Sequence, residues 1–125
     1  MKKLILLPAL LLLALAQLHA QSINNKNWKA FFGEPFNDTL IFHVRGDSSF
    51  VTTSNGDVLV QTKCVITGDT FTLSDYSTGD FSCPGMTGKY KIDLKGDNFT
   101  ATLIEDACDG RARALDGVRW TKAWK

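Results

Sequence analysis

An all-β fold, an antiparallel up-and-down meander closed into a small barrel of about eight strands, is what this 125-residue chain predicts. Three observations carry that reading. Apolar and polar residues alternate with period two through most of the chain. The dipeptide Gly-Asp recurs at 46–47, 56–57, 68–69 and 96–97, each time between two such alternations. The stretch Gly88–Leu115 shows the whole device: Lys89–Lys95 alternates, Gly96-Asp97-Asn98 breaks it, and Phe99, Ala101 and Leu103 resume it. Glycine supplies the positive φ of a tight turn and aspartate hydrogen-bonds its backbone, so this punctuation spells consecutive hairpins.

The first 20 residues read as a secretory signal peptide: Lys2 and Lys3, an apolar run Leu4–Ala16, then Leu18-His19-Ala20 before Gln21. One domain, residues 21–125, comes after it, long enough for a single small core. No cysteine closely follows the apolar run, so no lipid anchor is expected. The mature chain is expected to be secreted or periplasmic, with no integral membrane segment. It keeps 12 lysines and arginines against 13 acids, a net −1. Phosphate recognition needs a clear positive excess, so nucleic acid is not an expected partner.

Taken in order, Gln21–Asn27 is polar and reads as a loose lead-in. Trp28, Phe31, Phe32 and Phe36, broken by Gly33 and Pro35, read as a strand or turn plugging one end of a core. Strands are expected at Leu40–Arg45, Phe50–Ser54, Val58–Ile66 and Thr70–Leu73, with Asn55-Gly56 the strongest hairpin signal. Ser74–Thr87 is a longer loop. After the Gly88–Leu103 hairpin, Ala107–Leu115 offers one short helical turn weakened by Gly110, and Val118–Ala123 is the last strand. Alternation turns Leu40, Phe42, Val44, Phe50, Val60, Thr62, Cys64, Ile66, Phe71, Leu73, Tyr90, Ile92, Leu94, Phe99, Ala101 and Leu103 inward.

Three cysteines in an exported chain imply one disulfide and one free thiol. Cys83 and Cys108 lie in loop-like sequence flanking a hairpin, whereas Cys64 sits in a strand, so Cys83–Cys108 is the favoured pair. Pairings with Cys64 stay open. Cys64 reads as an inert core thiol. His43, the single histidine after residue 20, alternates to the outer face, and no ligand pair has metal spacing. The turn aspartates do not match a calcium loop. Arg111, Arg113 and Arg119 lie among Asp106, Asp109 and Asp116. Local ion pairing accounts for them, with Arg111 otherwise available at a barrel mouth to a ligand carboxylate or phosphate, or with Arg111 or Arg119 stacked on Trp28 or Trp120 to close the barrel's end.

The residues Gly88-x-Tyr90, Leu94-x-Gly96-Asp97, Phe99-Thr100, Asp106-x-Cys108-x-Gly110-Arg111 and Leu115, with Trp120-Thr121, resemble small secreted bacterial proteins of lipocalin-like type, in the calycin group. The resemblance covers Gly88–Lys122 and implies an antiparallel lipocalin-like barrel holding a small apolar ligand. The small or polar inward positions Thr62, Cys64, Tyr90 and Ala101, with Arg111 at the mouth, are the candidate ligand-binding residues. No enzymatic activity, cofactor or metal is expected. The alternative is an exported or envelope module with a filled barrel core that meets a protein partner through Phe31, Phe32 and Phe36. A barrel enzyme would have to rely on Tyr90 with Cys64.

Overall fold

Eight strands run in chain order and close on themselves: β1 (Asn27–Phe32), β2 (Asp38–Arg45), β3 (Ser48–Thr52), β4 (Val58–Thr67), β5 (Thr70–Asp75), β6 (Thr87–Lys95), β7 (Asn98–Asp106) and β8 (Arg119–Ala123). The computed structural model describes residues 22–124, so the segment read as a signal peptide lies outside the described residues. Neighbouring strands pair antiparallel throughout the barrel. It closes where β8 returns to β1 through Asn27↔Ala123, Trp28↔Lys122 and Lys29↔Thr121. One helix, α1 (Asp109–Leu115), interrupts the β7–β8 connection. Gly110 does not stop it, because burial of Leu115 anchors its last turn.

A meander sends alternate connections to opposite ends, and here the two ends differ. The β2–β3, β4–β5 and β6–β7 connections are two-residue Gly-Asp turns, flanked by Arg45↔Ser48, Thr67↔Thr70 and Lys95↔Asn98. Gly46 and Gly96 have φ of 65° and 59° at the first central position, which a type II′ hairpin reserves for glycine. Gly56-Asp57 lies at the other end, inside a five-residue connection (53–57) closed by Thr53 N–H donating to Asp57 O at 2.9 Å. That end also carries the β1–β2 turn, the long 76–86 loop and α1.

Residues 22–26 are not a loose lead-in. Ile23 is buried, and its carbonyl accepts the Trp28 Nε1–H at 3.0 Å. Asn24 Oδ1 accepts Gly46 N–H at 2.7 Å, and Lys26 O accepts Val44 N–H at 3.1 Å. The segment caps the short-turn end. Under it Trp28 meets Phe99 edge to face at 4.9 Å, and Phe42 packs on both Phe71 and Trp120. Val44, Cys64, Tyr90 and Ala101 complete this packed half.

Two inward assignments fail. Phe50 is paired with His43 and lies ring on ring with it at 4.2 Å, on the outer face to which alternation assigns His43. Ser49 is the buried neighbour instead. Leu103 is 37% exposed although it pairs with the buried Tyr90, and β7 shifts register against β6 just beyond it, at Ile104. Such a bulge inserts an extra residue and re-aims the side chains beyond it.

Candidate functional site

The end with the long connections encloses a cavity of about 560 Å³. Its wall is largely apolar: Phe32 and Phe36 from the β1–β2 region, Leu40 and Phe42 from β2, Val51, Leu59, Leu73 and Trp120. Phe36 N–H and Asn37 N–H both donate to Gly33 O at 3.1 Å, a tight turn that folds Phe36 back toward the cavity. Phe36 then meets Phe81 of the 76–86 loop at 4.8 Å. Trp120 Nε1 is buried and has no hydrogen-bond partner among the described residues, an uncommon state for an interior donor.

One flank of this cavity is a buried ionic cluster. Arg111, on the first turn of α1, donates from Nε to Asp106 Oδ2 at 2.7 Å and from one terminal nitrogen to Asp106 Oδ1 at 2.9 Å. Its other terminal nitrogen reaches Asp75 Oδ1 at 3.0 Å, and Met86 O accepts a fourth bond at 2.8 Å. Tyr90 donates its hydroxyl to Asp106 Oδ2 at 2.5 Å. Cys83 N–H serves Asp75 Oδ2 at 2.7 Å and Cys108 N–H serves Asp106 Oδ1 at 2.9 Å. The side chains of Arg111, Asp75 and Asp106 are 8%, 2% and 0% exposed. Buried charges persist only when paired and hydrogen-bonded, and here they are.

Local geometry builds the cluster. Asp75 is the next inward position of β5 after Phe71 and Leu73, opposite Thr62. Asp106 faces Gly88 across β6–β7, and the bulge near Tyr90 is what brings it there: unbroken alternation from Ala101 and Leu103 would turn Glu105 inward. Gly88 is required, since a Cβ there would collide with the Asp106 carboxylate. Burial alone would raise the Asp106 carboxyl, but the bonds from Arg111 and Tyr90 outweigh it and hold the group below the usual carboxylate range. Burial would likewise lower Arg111, and the two carboxylates raise it instead. Burial, with Asp106 accepting its proton, raises the Tyr90 phenol.

The Cys83–Cys108 disulfide joins the 76–86 loop to the start of α1, and Cys64 is the free, buried thiol. Both sulfurs and an Asp75 oxygen lie within 4.8 Å of one another. As a disulfide the sulfurs offer no thiolate, and both Asp75 oxygens are already bonded.

Of the five candidate ligand-binding residues, Thr62 and Arg111 line the cavity. Cys64, Tyr90 and Ala101 are buried but are not among its lining residues. Thr62 donates to Ser49 O at 3.2 Å and is also bonded to the Ser49 hydroxyl. Cys64 Sγ bonds Gly46 O at the opposite end, and burial raises its thiol. Tyr90 reaches the site only through Asp106, so Tyr90 and Cys64 form no pair. Arg111 pairs with Asp106 as local ion pairing predicts, and neither tryptophan stacks on it. Sequence reasoning misses Asp75 and the lining residues Leu59, Phe81 and Trp120. For Asp75 the signal is present, as the third member of an inward alternation.

Comparison with protein-family models, with curated proteins and with solved structures returned no match. No helix among the described residues is long and apolar enough to cross a membrane.

Proposed function

We propose that this chain is an exported, lipocalin-like barrel of calycin type that binds a small apolar molecule and performs no chemistry on it. The observation that carries the reading is the cavity of about 560 Å³, apolar in its walls and set at the end bearing the long connections. Ligand sites fall in that size range and are lined in that way. The buried ionisable groups beside it, Asp75, Asp106, Arg111 and Tyr90, are engaged with one another rather than poised over empty space, which supports binding over catalysis. A disulfide fits an oxidising compartment, in keeping with export.

Titration with N-phenylnaphthylamine, a neutral fluorophore that brightens in apolar surroundings, tests the reading. Saturable uptake at one site per chain, weakened by Leu59→Trp, which narrows the cavity, is expected. No uptake by the folded, oxidised chain would overturn it. The protein-interaction reading keeps one supporting observation, the exposure of Phe31, Phe81 and Met86. Phe32 and Phe36, however, are turned to the cavity.

A further inference from the structure

Resting on the ligand-binding reading, we infer that the cavity selects an amphiphile with a cationic, ammonium-type head over one with a carboxylate head. Arg111 is the buried cation of the cavity wall; Arg113, the other cation there, is exposed to solvent and its Nε–H donates to Asp109 O at 3.4 Å. Four hydrogen bonds to Asp106, Asp75 and Met86 O occupy the Arg111 guanidinium, which has five N–H groups. An anionic head brought beside it would meet Asp75, itself part of the cavity wall, and would have to displace an existing buried pair. The flank offers an anion little to bind.

Charge at the cavity points the same way. Its wall contains Glu34, Asp75 and Asp80 against Arg111 and Arg113, and Asp106 is bound to Arg111 from behind. Three wall carboxylates, with Asp106 added through its bond to Arg111, thus stand against two guanidiniums. The two carboxylates outside the buried cluster, Glu34 and Asp80, lie in sequence beside the Phe36–Phe81 contact that joins the β1–β2 turn to the 76–86 loop. Aromatic faces next to carboxylates are the chemistry that holds a protonated amine, by cation–π attraction and by charge. The apolar interior would take the alkyl or ring portion.

The test displaces N-phenylnaphthylamine from the oxidised full chain at neutral pH with dodecylamine, dodecanol and dodecanoate. Dodecylamine is expected to displace at about tenfold lower concentration than dodecanoate, with the alcohol between them, a gap that low salt widens. In the Glu34→Gln/Asp80→Asn variant the amine-to-alcohol ratio is expected to fall toward one. Equal or tighter displacement by dodecanoate, with the probe still taken up, overturns the head-group inference and leaves the apolar cavity standing. Failure of the probe and all three amphiphiles to bind overturns both.

Discussion

The two ends of this barrel solve one problem in opposite ways. At the short-turn end the strands are joined by two-residue Gly-Asp turns, residues 22–26 lie across the opening, and Trp28, Phe42, Phe71 and Phe99 fill the interior. At the other end the connections lengthen and the interior is hollow. A hollow end forfeits the dispersion and burial that side chains supply when packed. In their place stand a covalent link, Cys83–Cys108, and an ionic cluster in which Arg111 bridges strands β5 and β7 through Asp75 and Asp106. Packing holds one end, and cross-links hold the other so that it can stay open.

Breaking the cluster should have the largest effect. Arg111→Met leaves two buried carboxylates without their cation, a change expected to cost about 3–5 kcal/mol. Denaturant unfolding at neutral pH measures it. The acid limb then sharpens the comparison. In the intact protein Asp106 holds its proton less tightly folded than unfolded, so its contribution is complete above about pH 4 and is lost as pH falls through the depressed folded value. In Arg111→Met, burial, the largest single influence on this carboxyl, is opposed only by the bonds from Tyr90 and the Cys108 N–H, and lowering the pH toward that range is expected to stabilise rather than destabilise. An acid limb of unchanged sign in the variant would show that Arg111 does not control this carboxyl.

Removing the covalent link comes next. The paired Cys83→Ser/Cys108→Ser change opens a loop of sequence separation 25 and should cost about 2–4 kcal/mol. Because the link borders the cavity, fluorophore uptake should weaken more than the loss of global stability accounts for. Equal loss would place the link's role in the unfolded chain alone. The smallest effect is a paired one. Val44→Phe, in the packed end, is expected to cost about 1–3 kcal/mol by overpacking, whereas Val51→Phe, facing the cavity, should change stability by less than about 1 kcal/mol. Similar costs at both sites would mean that the hollow closes up in solution.

Local chemistry makes the packed end readable from the sequence. Gly-Asp sets the turns, alternation sets the strand faces, and Tyr90, Phe99 and Ala101 fall where period two places them. Cys83 and Cys108 are set apart from Cys64 by lying outside the alternating strand patterns, and Asp106 is legible beside Arg111. The failures share a cause. Phe50 faces outward because its partner across the ladder is His43, information held in register rather than in β3 itself. The bulge that turns Asp106 inward likewise belongs to a pair of strands. Asp75 is legible by parity, yet its meaning depends on Arg111, 36 positions away. Ile23 escapes because one apolar residue in a polar run carries no period. The cavity is the space between loops that never adjoin in sequence.

Cys64 gives the two-ended design a consequence for oxidation chemistry. Disulfide exchange requires a thiolate to approach a sulfur of the existing bond. The free thiol is shut at the packed end against Gly46 O, with burial opposing its ionisation, while the Cys83–Cys108 bond borders the cavity at the other. Folding thus places the filled core between the two sulfur sites as an insulator. A chain oxidised with the wrong cysteines joined cannot form this barrel without reopening, and one oxidised correctly loses the route back to error as the core closes.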